Sequence, residues 1–206
     1  MTERKLALYS DQHNNAALDA RVMRLIGRPA PILGYIACEP DPQRLYFEDR
    51  RGFYGERGAR LEVYTGSDLP PGDQAWAALF RCDAIHLSGG NTYAFLHWLR
   101  RRQLLAPLAR YVAEGGVLIG VSAGAILMTP SVQSAALCGD ERDAQAQDET
   151  ALGLVDFHFW PHFDPDADSA SLAVGLPGLY GCPDGAGIVV DGATIELHGS
   201  VQRLTA

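Results

Sequence analysis

The segment Val117-Leu118-Ile119-Gly120-Val121-Ser122-Ala123-Gly124 decides how this chain is read. VLIGV is a continuous apolar run of strand length, as expected for a strand covered on both faces of a parallel sheet. Ser122 follows at once between Gly120 and Gly124, and Ala123 opens a run of small residues that reads as a short helix. A serine on a strand-to-helix turn between glycines fits the pattern G-x-S-x-G, where a strained turn pushes the hydroxyl out of the sheet. Only small neighbours permit such a turn. The helix that begins there points free N–H groups and its positive end at the place where an oxyanion would develop. A plain helix start with tight backbone packing is the alternative reading.

Outward from this segment, short apolar runs alternate with helical patterns, the rhythm of a mostly parallel sheet covered by helices on both faces. Leu6–Ser10, Pro31–Cys38, Leu61–Thr65 and Ala84–Leu87 read as strands. Asn15–Ile26, Asn91–Arg102 and Leu105–Glu114 read as helices, the last stopped by Gly115-Gly116. Beyond Ser122, apolar runs at Leu152–Phe159, Gly187–Asp191 and Thr194–His198 suggest further strands, with Asp191-Gly192 marking a small antiparallel C-terminal hairpin. Asp41–Arg60 and Gly139–Thr150 read as loops. No repeat or linker divides the 206 residues, so one α/β domain is expected.

With 47% hydrophobic and 20% charged residues the composition is that of an ordinary globular chain. A net charge of -8 argues against nucleic acid as a partner, since no basic stripe exists to release phosphate counterions. Arg100-Arg101-Arg102 reads as the solvated end of a helix. Cys38, Cys82, Cys138 and Cys182 form no CxxC pair, which gives neither a zinc signature nor a disulfide framework. No long apolar stretch follows Met1–Lys5, so no signal peptide or membrane span is visible and a cytoplasmic location is expected.

A second glycine turn, Ser88-Gly89-Gly90-Asn91, closes the strand Ala84–Leu87 and opens a helix. In a parallel sheet the strand C-termini share one edge, so this turn and the Ser122 turn can face one crevice. The amides of Gly90 and Ala123 are then candidate oxyanion donors, although Asn91 is also a plain N-cap. A serine needs a base. Among His13, His86, His97, His158, His162 and His198, the best placed is His162, which follows Pro161 at a strand end. His158 reads as packed within the strand, and a metal site from His158, His162 and Asp164 lacks a third neutral ligand. For the carboxylate that orients the base, Asp184 in Cys182-Pro183-Asp184-Gly185 is best placed, with Asp140, Asp143 and Asp164 as competitors. The order Ser…His…Asp differs from that of lipases and esterases, where the acid precedes the histidine.

Leu87-Ser88-Gly89-Gly90-Asn91-Thr92, Gly120-Val121-Ser122-Ala123-Gly124-Ala125 and Pro161-His162-Phe163, in that order, resemble the dipeptidase E (aspartyl dipeptidase) family of serine peptidases. Cyanophycinase is a longer relative that shares the serine turn. The resemblance implies a fold related to the class I glutamine amidotransferases, with serine in place of their cysteine. It implies Ser122 as nucleophile, His162 as general base, Asp184 at a position often held by glutamate, and oxyanion donors at Gly90 and Ala123. No cofactor and no metal is implied. The expected activity is cleavage of dipeptides or of N-terminal residues from short peptides by a monomer or homodimer, with Gly89, Asn91 and Asp164 near the substrate. Another amidase or acyl hydrolase, such as a cyanophycinase-like β-aspartyl peptidase, and a non-catalytic binding protein are the alternatives.

The chain departs from the family at one point. The family's aspartyl preference is attributed to an arginine after the catalytic histidine, and this chain has no Lys or Arg between Arg142 and Arg203. Asp164-Pro165-Asp166-Ala167-Asp168 occupies that segment and would repel an acidic side chain. Either a cation reaches in from Arg44, Arg50, Arg51, Arg57 or Arg142, or the specificity has changed. The acidic segment could instead hold the substrate's α-ammonium group.

Overall fold

The computed structural model describes residues 4–70, 72–142, 148–168 and 175–204. Five strands run parallel: β1 (Lys5–Tyr9), β2 (Ile32–Ile36), β3 (Arg60–Thr65), β4 (Ala84–Leu87) and β5 (Val117–Val121). Two antiparallel strands, β8 (Gly187–Asp191) and β9 (Thr194–His198), extend the sheet to the order β3-β2-β4-β5-β1-β8-β9. The expected hairpin is the β8–β9 pair, turned at Gly192 with φ 63°. A second, three-stranded sheet is ordered β10-β7-β6, from β6 (His158–Pro161), β7 (Leu179–Cys182) and β10 (Gln202–Leu204).

Both faces of the large sheet are covered, and β1 shows how. Leu6 and Leu8 face a core shared with α4 (Thr92–Arg101), α5 (Leu105–Ala113) and α6 (Ala123–Ile126). Ala7 and Tyr9 face the opposite core, built with α1 (Ala16–Ile26) and α2 (Leu45–Gly55). Successive side chains of a strand point to opposite faces, so an uninterrupted apolar run is what two covered faces require. The helix α1 begins at Asn15, whose side chain accepts from Leu18 N–H, and ends at Gly27 with φ 66°.

The structure departs from the sequence expectations at three places. The segment Asp41–Arg60 is not a loop throughout: α2 lies inside it, packed through Phe47 and Tyr54 and tied to α1 by Arg57 on Asp19 at 2.7 Å. Its start carries no side-chain cap at the N-cap position: Arg44 sits there with φ 58°, and the carboxylate of Asp41, three residues earlier, accepts from the amides of Leu45, Tyr46 and Phe47 instead. The run Leu152–Phe159 is not one strand. Leu152 and Leu154 donate their amides to Leu127 and Met128 beside α6, and only His158–Pro161 pairs with β7. Finally, the arginines after Leu99 are not simply solvated. Arg100 donates to the Thr150 carbonyl at 2.5 Å and pairs with Asp148, and Arg102 donates to the carbonyls of Ser67 and Leu69. A short helix, α3 (Gln74–Leu79), was not foreseen.

The turn after β5 is packed backbone to backbone. A Cβ on Gly120 would lie 2.4 Å from the carbonyl carbon of Gly124, and one on Gly124 would lie 2.3 Å from the Leu87 carbonyl oxygen. No side chain can bend away from such contacts, because the atoms concerned are main chain. Gly124→Ala is expected to destabilise the protein by about 3 kcal/mol. Gly52→Ala, in a helix with nothing within 4 Å of the new methyl, should be neutral or stabilising by up to about 1 kcal/mol. Urea denaturation of the two variants checks the contrast.

Candidate active site

Ser122 stands at the C-terminal end of β5, its amide donated to the Tyr9 carbonyl of β1 at 2.9 Å. Its backbone has φ 51° and ψ -111°, a conformation that a residue with a side chain seldom adopts and that the crowded glycine turn enforces. The serine Oγ lies 3.0 Å from His162 Nε2, and His162 Nδ1 lies 2.6 Å from Asp184 Oδ1. Three segments far apart in sequence thus form one continuous hydrogen-bonded path. His162 also has positive φ, 57°, immediately after β6.

A residue that the sequence did not single out holds this path in place. Ser10, fully buried at the end of β1, accepts the His162 amide at 2.8 Å and lies 3.3 Å from Asp184 Oδ1, to which its hydroxyl donates. The signal was a hydroxyl closing the apolar strand LALY, at the same edge as Ser122. The turn that carries Asp184 is pinned on both sides. Asp11 accepts from the Gly185 amide at 2.6 Å, and Asn15 donates to the Gly185 carbonyl at 2.6 Å. Asp184 and His162 are themselves open to solvent, with side chains 66% and 47% exposed, so their contact is screened by water and position matters more than charge.

The other acidic candidates are committed elsewhere. Asp140 accepts from the Thr92 amide, and Asp164 closes its own turn by accepting from Asp166 and Ala167. Asp143 lies outside the described residues. His13 is exposed beside Asp11, His86 is buried in β4, His97 lies in α4, His158 is buried in β6 and His198 sits on β9 beside Glu196. No group of three or more His, Cys, Asp or Glu among the described residues is arranged to hold a metal ion.

The amides of Gly90 and Ala123 donate to no other group among the described residues. Gly90 has φ 136°, and a Cβ there would lie 2.6 Å from Cys38 Sγ, so glycine is required on two counts. Burial pushes the Cys38 thiol up, which keeps it neutral beside this amide. A Cβ on Gly89 would lie 3.6 Å from Ser122 Cβ, which puts the two glycine turns in contact. Because α6 is a single turn of four residues, its macrodipole is small and the individual amide counts for more.

A cavity of about 440 Å³ opens at the strand C-termini, lined by residues after β1, β2 and β4 and by Val121, the last residue of β5. Gly89, Gly90 and Val121 form the wall nearest Ser122, and Arg50 of α2 also lines it. Asn91 and Asp164 do not. Asn91 caps α4 by accepting from Ala94 and donates to the Glu141 carbonyl.

Residues 37–198 match the family model of Peptidase family S51, most of the chain, and the protein belongs to that family. Among its relatives, the uncharacterized peptidase PM1590 of Pasteurella multocida is 29% identical over 131 residues, 62% of this chain and 61% of that protein. Peptidase E of Citrobacter koseri is 37% identical over 87 residues, 42% of this chain and 37% of that protein. The chain therefore matches less than two thirds of the length of either. Two crystal structures share the fold. A Listeria monocytogenes protein provisionally named peptidase E superposes with a TM-score of 0.77 at 20% identity, covering 98% of this chain and 100% of that one. A peptidase from an acI-B1 Actinobacterium gives 0.71 at 19% identity, covering 99% and 92%.

Ser10→Ala removes both the acceptor of the His162 amide and a donor to Asp184. Leaving that amide unpaired is expected to cost about 1–3 kcal/mol in stability. Turnover should fall with it, whereas Ser10→Thr, which keeps the hydroxyl, should retain most of both. Denaturation curves and kcat for the two variants test this.

Proposed function

We propose that the protein is a serine peptidase that cleaves dipeptides or the N-terminal residue of short peptides. The observation that carries the reading is the path Ser122 Oγ–His162 Nε2–His162 Nδ1–Asp184 Oδ1, with contacts of 3.0 and 2.6 Å, beside two uncommitted amides. Membership of Peptidase family S51 and the likeness to proteins called peptidase E support the same reaction class.

In this reading Ser122 attacks the scissile carbonyl while His162 takes the hydroxyl proton. The bond that forms is Oγ–C, and the carbonyl electron pair moves onto oxygen, where the amides of Gly90 and Ala123 receive it. The tetrahedral adduct collapses as the C–N bond breaks, and the imidazolium returns its proton to the departing amine. Water, activated by the same imidazole, then hydrolyses the acyl-enzyme. Asp184 accepts from Nδ1–H and so keeps Nε2 free to act as the base. The site draws on both ends of the chain, from Ser10 to Asp184, consistent with one α/β domain working as a unit.

Ser122→Ala should lower kcat by at least about a thousandfold while leaving the denaturation curve unchanged, and a serine-directed phosphonate should label Ser122 alone. Asp184→Asn should cost about ten- to a hundredfold, less than for a buried triad acid, because this carboxylate is exposed. Hydrolysis retained in Ser122→Ala would end the proposal. Dipeptides with α- and β-linked aspartate, compared by mass spectrometry of products, separate this reading from a β-aspartyl peptidase.

A further inference from the structure

The cavity beside Gly90 contains a chain of side chains that the hydrolytic step leaves unused. Arg50 donates from Nη1 to Gln12 Oε1 at 3.1 Å and faces Asp49 with Nε and Nη2. Since the Gln12 oxygen is taken, its amide nitrogen donates to Tyr54 OH, at 3.1 Å. The Tyr54 hydroxyl is buried and lies 2.8 Å from His86 Nδ1. A buried hydroxyl that already accepts a hydrogen bond satisfies its own proton by donating, and Nδ1 is the acceptor within reach. His86 therefore carries its proton on Nε2. Its ring is 1% exposed and lines the cavity, and Nε2 has no protein partner among the described residues. Burial and the nearby Arg50 hold its pKa at about 3, so the ring stays neutral.

Arg50 and His86 both line the cavity, and the N–H groups left over from this chain are the second hydrogens of Arg50 Nη1 and Nη2 and the His86 Nε2–H. Tyr35, stacked on His86 with ring centroids 5.0 Å apart, and Tyr46 give the cavity aromatic walls. Asp11, Glu39, Asp41 and Asp49 line the same space, against the single guanidinium of Arg50. Each of these carboxylates already has a donor of its own: the Gly185 amide, the Asn91 amide, the start of α2 and Arg50, respectively. Such donors select an oxygen acceptor, while the surplus negative charge works against an ionised one.

Resting on the peptidase reading above, we propose that Arg50 and His86 are the specificity-determining residues of this site. They donate to the side-chain oxygen of the residue whose carbonyl Ser122 attacks, and they favour a neutral carboxamide over a carboxylate. The cation that the segment after His162 lacks is supplied by α2, in a setting that changes what it selects.

The dipeptides Asn-Phe, Asp-Phe and Leu-Phe have first side chains of similar size and test the idea directly. The expected order of kcat/KM is Asn-Phe, then Asp-Phe, then Leu-Phe. In Arg50→Met the ratio of Asn-Phe to Leu-Phe should fall at least about tenfold, the effect of one charge-assisted hydrogen bond, and Arg50→Lys should lie between. A ratio unmoved by Arg50→Met, or Leu-Phe as the best wild-type substrate, overturns the assignment. Asp-Phe ahead of Asn-Phe overturns the preference for a carboxamide. Calorimetric binding of the same dipeptides to Ser122→Ala reads the cavity without hydrolysis. If no peptide is cleaved but the binding order holds, only the catalytic reading falls; equal affinities for all three defeat the present one.

Discussion

The close approach of main chain to main chain at Gly120, Gly124 and Leu87 is the constraint from which the rest of the site follows. Where β4, β5 and α6 meet, there is no room for a single additional carbon. That crowding forces the chain to reverse in one residue, and the residue is Ser122, held in a backbone conformation unfavourable for anything with a side chain. Strain at this point is sustained because the sheet on one side and the apolar core beneath α6 on the other both fix the flanking segments. A looser turn would point the hydroxyl back towards the sheet.

Around that fixed point the site is assembled from parts of different rigidity. The serine is set by main-chain packing and the imidazole by a buried hydroxyl. The carboxylate rides on an exposed turn fastened by Asp11 and Asn15. The cavity, in contrast, belongs largely to α2 and the segments after β1 and β2, which pack on the other face of the sheet. On the proposed reading, the reacting groups and the cavity therefore rest largely on different faces of the sheet, and a change in α2 is expected to alter what enters more than what reacts.

Much of the sheet was legible because its strands announce themselves: Ala84–Leu87, Val117–Val121, Gly187–Asp191 and Thr194–His198 have Gly or Asp at or within two residues of their ends, and the structure begins and ends them at the same residues. The candidates Ser122, His162 and Asp184 were legible for a different reason: each closes or precedes a strand, Ser122 and Asp184 at one rim of the large sheet and His162 at the end of β6 in the second sheet. What stayed hidden depended on a displaced cap or on contacts distant in sequence. The helix α2 lacks a local N-cap and contains Gly52 and Gly55, and its stability comes from Asp41 and from Tyr54 packing in the core. Ser10 looked like the last residue of a strand, since nothing local reveals that its hydroxyl reaches residues 152 and 174 positions away. Asn91, in turn, is occupied as a helix cap, a role its neighbours already suggested.

The strand β1 lies between β5 and β8 in the sheet, and this ordering has a metric consequence. Ser122 leaves the end of β5, and Asp184 sits just before the start of antiparallel β8, so the two side chains rise from the same rim on either side of one intervening strand. Two strand spacings amount to about 10 Å, and the side chains close this to the roughly 8 Å at most that an imidazole with a hydrogen bond at each nitrogen can span. The sheet acts as a ruler for the ring that bridges it. Insertion of any further strand at this place would leave the histidine too short to touch both neighbours.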